Sequence, residues 1–333
     1  MSSTDFEKLF SEFESIKVGV VGDVMLDTYY WGKVERISPE APVPVVSLDH
    51  KDYRLGGAGN VALNLAALGA QTTMISITGD DDDGVQLKKM YDESGINTSF
   101  LLKSKKRVTT SKTRIISRNQ QMMRLDNEIT KDLEYEDENR LILAIQNYIA
   151  QESPQVIIME DYNKGVLTEL VINKIIALCK VKNITTSVDP KRKNFFSYVG
   201  VDIFKPNLKE VREGLNLIDE RVDENSLRNI HEALHEKLQH RISFITLSEK
   251  GVFYQSGDSA GIIPSHLRRI ADVSGAGDTV IAVASLVYAA TKDKKLMAEM
   301  ANIAGGLVCE EVGTAAIRKD KLLAECERLL GKM

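Results

Sequence analysis

A chain of 333 residues with 43% apolar side chains can bury a large core, as one big α/β domain or two ordinary ones. Its 43 basic against 48 acidic residues leave a formal charge of −5, which argues against a main partner of nucleic acid. The longest largely apolar run, 280–290, is too short to span a bilayer, and the acidic N-terminus does not read as a leader. Cys179, Cys309 and Cys326 form no paired motif, so a reducing, cytoplasmic setting without membrane is expected.

In chain order, 16–22 reads as the first strand and runs into Asp23. Segment 43–48 holds prolines and suits a peripheral strand. Gly56-Gly-Ala-Gly-Asn60 leads into a helix over 61–68, where apolar residues recur at helical spacing. A strand at 72–78 and a helix at 84–94 follow, and the clusters Asp80–Asp83 and Lys103–Arg107 read as solvated turns. From 97 to 126 the pattern turns to short β segments with exposed charge. Strands at 156–159, 184–188, 203–204 and 242–247 then alternate with helices near 133–150, 166–181 and 207–238. A hairpin at 251–264 precedes helices near 275–290, 294–312 and 320–331. Repeated βα units predict an α/β fold with a mostly parallel sheet covered on both faces. Segments 31–50 and 98–126 fit those units poorly and are expected to form a small β lid on a single domain spanning 1–333. Ligands of such sheets bind at the C-terminal ends of the strands.

The sharpest local signal is Asp272-Val-Ser-Gly-Ala-Gly-Asp-Thr279 ahead of an apolar helix. Gly275, Ala276 and Gly277 let the backbone turn tightly and aim N–H groups at one point, where the helix N-terminus adds partial positive charge. Asp278 is the anomaly. A carboxylate there repels a bound phosphate, unless its task is to take the proton from a hydroxyl attacking that phosphate. A glycine-rich helix start with an acidic cap is the bland alternative. Gly57-x-Gly59-x-x-Ala62, with Asp80 about 20 residues on, formally matches a dinucleotide fingerprint and keeps a nicotinamide-dependent oxidoreductase in view. Yet these glycines lie about eight residues past the 43–48 strand, and Asp80 sits in an acidic turn. A glycine turn facing a sugar, with Asn60 as donor and acceptor, fits better.

His231-Glu-Ala-Leu-His235 matches the zinc pattern HExxH, but on a helix charged nearly throughout and without a third ligand motif, so a solvent-facing helix is expected. No GxxxxGK[ST] P-loop occurs. Asp23 and Asp27 put two carboxylates at the expected crevice, suited to polyol hydroxyls or to structural partners alike. Lys205-Pro-Asn-x-x-Glu210 and Thr246-Leu-Ser-Glu-Lys-Gly251 also follow strands, and each could hold phosphate, metal or ribose, or be an ordinary turn.

Together these segments resemble the ribokinase-like (PfkB) carbohydrate kinases. Both signatures of that family, a GG-containing segment near the N-terminus and D-x-x-G-A-G-D near the C-terminus, are present in order over nearly the whole chain. Gly22-Asp-Val-Met-Leu-Asp27, Arg36-Ile-Ser-Pro-Glu-Ala-Pro-Val-Pro-Val-Val46, Arg118-Asn-Gln-Gln121, Arg124-Leu-Asp126, Asp161-Tyr-Asn-Lys-Gly165 and Asp189-Pro-Lys191 are similar to its heptose-phosphate branch. The resemblance implies a ribokinase-like three-layer αβα fold. It further implies ATP-dependent phosphorylation of the anomeric O1 of D-glycero-β-D-manno-heptose 7-phosphate, toward ADP-heptose for lipopolysaccharide. Another sugar or sugar phosphate is the alternative within the family.

By the same resemblance Asp278 is the base, and the amides of Gly275, Ala276 and Gly277 form an anion hole. Mg²⁺ is held through water around Asn207 and Glu210. Ser248, Gly251, Asn302 and the Gly313-Thr314 turn border ATP, while Asp23, Gly56, Gly57 and Asn60 face the sugar. Charge alone nominates Arg118, Asn119, Gln120, Lys164 and Lys191 for the substrate's own phosphate. A homodimer through the lid is implied as well, and some relatives use a monovalent cation near the Asp272 loop, which this sequence does not decide. No HxGH-type nucleotidyltransferase motif occurs, so a separate adenylyltransferase is expected. A catalytically silent binding protein is the reading from another class, and retention of Asp278 speaks against it.

Overall fold

The computed structural model describes residues 4–118, 120–217, 221–266 and 268–331. After a short helix α1 (Phe6–Glu12), the chain enters β1 (Lys17–Gly22), β2 (Val24–Ile37), β3 (Pro44–Gly57), α2 (Ala58–Ala67), β4 (Gln71–Gly79), α3 (Asp82–Glu93) and β5 (Asn97–Ser104). It continues through β6 (Ser111–Ser117), β7 (Gln120–Asn127), α4 (Tyr135–Glu152), β8 (Val156–Glu160), α5 (Glu169–Lys182), β9 (Thr185–Asp189) and β10 (Ile203–Phe204). The remainder comprises α6 (Leu208–Leu215), α7 (Glu224–Leu238), β11 (Ile242–Thr246), β12 (Val252–Ser256), β13 (Ser259–Ile263), α8 (Ala276–Thr291), α9 (Lys294–Val308) and α10 (Lys319–Leu330).

Nine strands form the main sheet in the order β13-β12-β11-β10-β9-β8-β1-β4-β5. It is parallel from β5 to β11 and closes with an antiparallel hairpin. The central strands β1 and β8 read as near-continuous apolar runs because helices cover both faces. On one face α2, α8, α9 and α10 pack around Val20, Ile158 and Phe244. On the other, α4, α5 and α7 pack around Val21, Ile157 and Ile245. Helix α8 is buried on all sides from Asp278 to Tyr288, which accounts for its nearly uniform apolar sequence. The sheet thus acts as a rigid shelf for the loops at its C-terminal edge.

The lid is a four-stranded sheet in the order β3-β2-β6-β7, with β2 and β6 parallel and the outer pairs antiparallel. Strand β2 is buried at its base and exposed toward its tip, and every residue of β7 is exposed. The 43–48 segment does form an edge strand, as its prolines predict, but it belongs to the longer β3. The predicted lid boundaries need correction on two points. The lid begins at Val24, far before 31, and β5 leaves it to pair with β4 on the main sheet.

Three other expectations are overturned. The helix expected over 207–238 is two, because Asn216 ends α6 in the left-handed conformation and Asp223 caps α7 afresh. Arg107 is no solvated turn residue: its guanidinium donates to the carbonyls of Ile129, Lys131 and Lys164. The HExxH helix does not simply face solvent either. His231 is buried and its Nδ1 bonds the Ser243 hydroxyl, which also meets Nε2 of the buried His240.

Candidate active site

Strand β3 runs straight into Gly57, so the glycine turn follows a strand directly, contrary to the spacing read from the sequence. That strand belongs to the lid and pairs antiparallel with β2, not to a parallel βα unit. Asp80 points to Lys103, at 3.7 Å, and the dinucleotide reading has no ribose-facing acid left. Gly57 has φ +57, and a Cβ there would stand 2.5 Å from the Asp23 carbonyl. Glycine is what lets α2 start close against the end of β1. Asn60, fully buried in its first turn, is thereby aimed at α8.

Asp278 sits in the first turn of α8 and is 2% exposed. Its Oδ2 accepts from Asn60 Nδ2 at 2.8 Å and its Oδ1 from the Tyr162 hydroxyl at 2.8 Å. Burial pushes its carboxyl up to about 6, while the bonds from Asn60 and Tyr162 oppose the shift. Gly275 caps α8 with φ +79, and a Cβ would stand 2.6 Å from Asn60 Nδ2. Of the three amides expected to form the anion hole, that of Ala276 donates to the Val273 carbonyl at 3.3 Å. Asp272 fixes the turn by accepting from Ser274 N–H, and from Gly313 N–H at 2.9 Å.

Two more carboxylates lie with Asp278. Asp189 ends β9 and Glu160 ends β8, and one oxygen from each of the three lies within 4.8 Å of the others. Asp189 Oδ2 meets the buried Lys205 ammonium at 2.8 Å, and its Oδ1 lies 3.4 Å from Lys191. Burial works against the Asp189 charge, but Lys205 and Lys191 outweigh it and hold the carboxyl below its usual range. Glu160 is pushed well above the usual range, by burial first and then by Asp189 and Asp278. Neither of its oxygens has a hydrogen-bond partner among the described residues.

The other predicted residues fall into separate groups. Asp23 is buried, and its oxygens accept from the amides of Tyr162, Lys164 and Val166 at 2.8, 2.9 and 3.1 Å, so it pins the loop that carries Tyr162. Burial and the neighbouring Asp161 push its carboxyl up to about 6. Asp27 pairs with Arg114 at 2.5 Å, and Gly56 lies against it. The described candidates for a second phosphate have these surroundings. Arg118 and Gln120 sit exposed at the β6–β7 turn, and Asn119 lies outside the described residues. Lys164 pairs with Glu128 at 2.7 Å, and Lys191 with Glu210 at 2.7 Å.

Asn207 and Glu210 form a reciprocal capping box at the start of α6. Both are hard oxygen donors, and the Glu210 carboxylate keeps lone pairs beyond its bonds to the Asn207 N–H and Lys191. The pair therefore fits Mg²⁺ held through water. On the expected nucleotide side, Ser248 and Gly251 turn the chain after β11 with φ of 57 and 97. Gly251 packs on 263–265, and Asn302 donates to the Pro264 carbonyl at 2.8 Å, so these residues share one neighbourhood. Gly313 lies against Arg54 of β3, which donates to the Val312 carbonyl at 2.8 Å and ties the lid to that turn.

Sequence reasoning assigned no role to Tyr162, Lys205, Glu160 or Arg54. For Tyr162 and Lys205 the signal was the motif around each. For Glu160 it was an acid ending an otherwise apolar strand, Val156-Ile-Ile-Met-Glu160.

A β-lidded αβα shelf with a buried aspartate in a glycine-rich helix start suits proton removal from a hydroxyl beside an anion-binding turn. The chain belongs to the pfkB family of carbohydrate kinases, whose model matches residues 15–321. Among curated relatives it is similar to the bifunctional protein HldE of Syntrophotalea carbinolica, 38% identical over 326 residues, which are 97% of this chain and 65% of that protein. The HldE of Aliarcobacter butzleri is 39% identical over 305 residues, 91% of this chain and 63% of that one. The chain thus spans just under two thirds of the length of these relatives. Among solved structures, phosphofructokinase-2 from Escherichia coli in complex with potassium superposes with a TM-score of 0.77 at 16% identity, covering 94% of this chain and 100% of that one. The Arabidopsis thaliana ribokinase complexed with ribose and ATP gives 0.71 at 16% identity, covering 92% and 98%. At such identity the likeness is one of fold. No helix among the described residues is long and apolar enough to cross a membrane.

Proposed function

We propose that this kinase transfers the γ-phosphoryl group of ATP to the anomeric O1 of D-glycero-β-D-manno-heptose 7-phosphate, giving the 1,7-bisphosphate. The observation that carries the transfer chemistry is Asp278, buried in the first turn of α8 and oriented by Asn60 and Tyr162. Its carboxylate takes the proton of the attacking hydroxyl. The amides of the glycine turn and of the first turn of α8, apart from that of Ala276, which donates to the Val273 carbonyl, stabilise charge on the phosphoryl group in flight. Mg²⁺ at Asn207 and Glu210 would neutralise phosphate charge, and the protein's remaining task is alignment. Ser248, Gly251, Asn302 and Gly313 border the nucleotide in this reading, and Gly56, Gly57 and Asn60 border the sugar. The potassium complex of the E. coli neighbour supports the use of a monovalent cation, for which the Asp272 loop is the position in this reading.

The choice of heptose phosphate, and of ADP-heptose formation as its destination, is supported by the HldE relatives and by the motifs that resemble that branch. A homodimer through the lid is supported by Ile37, Val43, Leu48, Met123 and Leu125, all large apolar side chains exposed on lid strands or their connection. One observation favours a second reading, a kinase for another sugar: Lys164 and Lys191 are each engaged by a carboxylate of their own chain.

The test is ADP release with ATP·Mg²⁺ and a panel holding the β-heptose 7-phosphate, unphosphorylated heptose, ribose and fructose 6-phosphate. Turnover confined to the heptose phosphate is expected. Preference for another sugar would keep Asp278 and overturn the substrate.

A further inference from the structure

The lid is carried on four chain crossings, and the loop 161–166 touches every one of them. From β1 to β2 the crossing is Asp23 alone, whose carboxylate accepts from the amides of Tyr162, Lys164 and Val166. From β3 to α2 it is Gly57, where a Cβ would stand 3.5 Å from the Tyr162 ring. From β5 to β6 it is 105–110, in which Arg107 donates to the Lys164 carbonyl. From β7 to α4 it is 128–134, where Leu133 N–H donates to the Gly165 carbonyl at 3.0 Å and Glu128 meets the Lys164 ammonium at 2.7 Å.

We propose that Arg107 is a positioning residue for phosphoryl transfer. It clamps the 105–110 and 128–134 crossings to the 161–166 loop, and through the Tyr162 hydroxyl it sets where the Asp278 carboxylate lies. The inference rests on the reading of Asp278 as the base.

Three observations carry it. The first is reach. Besides Lys164, the Arg107 guanidinium donates to the Lys131 carbonyl at 3.0 Å and the Ile129 carbonyl at 3.3 Å. One planar group thus joins the outgoing crossing, the returning crossing and the loop. Arginine's fixed fork of donors suits three carbonyls in this way, where a lysine ammonium on its flexible stem imposes no such geometry. The second is the short path to the site: Lys164 follows Tyr162 by two residues, and the Tyr162 hydroxyl donates to Asp278 Oδ1 at 2.8 Å. The third is close backbone contact. Gly165 has φ +86, and a Cβ there would collide with the Lys131 carbonyl. The loop runs against the returning crossing with no side chain between them, so a shift of that crossing pushes directly on the segment that holds Tyr162.

The experiment is a double-mutant cycle on kcat between Arg107→Ala and Tyr162→Phe in the whole protein, since non-additivity is what separates coupling from proximity. It is run at pH 6 with ATP·Mg²⁺ and the β-heptose 7-phosphate, or with the panel sugar turned over fastest should that be another. Burial pushes the Asp278 carboxyl up to about 6, so the bond from Tyr162 counts for most there. Arg107→Ala alone should lower kcat by about three- to fivefold, the worth of one hydrogen bond. In the Tyr162→Phe background it should change kcat by less than about twofold, because its route to Asp278 is already cut. Circular dichroism checks folding, and Arg107→Lys takes the place of Arg107→Ala in the cycle should the latter not fold. The same fold loss in both backgrounds would overturn the inference and leave Arg107 as a brace of the lid crossings, and so would an unchanged kcat in Arg107→Ala. These outcomes stay separate from those for the base. Near-normal turnover of Asp278→Asn strikes the reading of Asp278, whereas an additive cycle beside an inactive Asp278→Asn strikes Arg107 alone.

Discussion

The floor of the site and the lid above it are built on opposite terms. Under the glycine turn, Asp278 is fixed to Asn60 and Tyr162, and Asp189 to Lys205, by bonds of 2.8 Å. The lid is internally braced by pairs such as Asp27–Arg114 and tied to the shelf side by Arg54 reaching the 312 carbonyl, while β7 is exposed along its length. A rigid floor suits the proton and phosphoryl steps, which tolerate little misplacement. A lightly tied lid suits admission and closure. Substitutions in the floor should therefore act on kcat, and those in the lid ties on KM.

The hardest test of that division is Asp278→Asn. The variant should still bind ATP and sugar while kcat falls by roughly 10²–10⁴ or more, because the base is lost and the shape kept. Near-normal turnover would remove Asp278 from the mechanism and the floor from its role.

Tyr162→Phe comes next. The Tyr162 hydroxyl bonds Asp278 Oδ1 and helps hold its carboxyl down against burial, which has already pushed it up to about 6. A base must be ionised to work, so wild-type kcat should rise with pH through about 6. Deleting the hydroxyl should move that acid limb upward by about one pH unit and lower kcat by roughly fivefold at pH 6, with little effect at pH 8. A uniform loss at all pH values would mean that the hydroxyl positions the substrate instead.

How far these roles are legible in the sequence follows the same boundary. The alternation of apolar strands and helices predicts the parallel shelf, because each central strand is buried on both faces. Asp278 stands out unaided, since an acid in an anion-binding turn is an electrostatic contradiction. Lys205, Lys191 and Lys164 do not, because charge carries no address. Lys191 is separated by 19 residues from Glu210, which engages it, and Lys164 finds Glu128 across a loop. Arg54 is opaque for a similar reason: its acceptor is a backbone carbonyl some 258 residues away. The lid boundary was misread because β2 is apolar at its base, where it touches the shelf, and polar at its tip.

In the lid, Arg54→Ala removes the bond to the Val312 carbonyl and the stacking of the guanidinium on the Tyr29 ring. The KM for ATP should rise about three- to tenfold, the worth of one such bond, with kcat nearly unchanged. A fall in kcat of the same size would place the tie in the rigid floor and erase the contrast.

The smallest effect is on stability, and it comes from a region outside both. The Ser243 hydroxyl lies 2.8 Å from His231 Nδ1 and 2.6 Å from His240 Nε2, with His235 stacked on His231. One hydroxyl can donate to one ring and accept from the other only while at least one ring is neutral. Burial, then the neighbouring histidines, push His231 down to about 4 and His240 to about 3. In the unfolded chain both take up protons near 6.5. Between about 6.5 and 4 the unfolded state therefore binds protons that the folded state refuses, and stability falls as pH falls. Asp23 and Asp278 work in the opposite sense, because carboxyls raised to about 6 in the fold gain stability on protonation. The histidine contribution is read as a difference. Urea midpoints of wild type and of His231→Gln/His240→Gln, compared at pH 7.5 and 5, should show the wild type losing more on acidification. Parallel profiles would mean that the cluster titrates alike in the folded and unfolded chain, and that its burial does not keep it neutral.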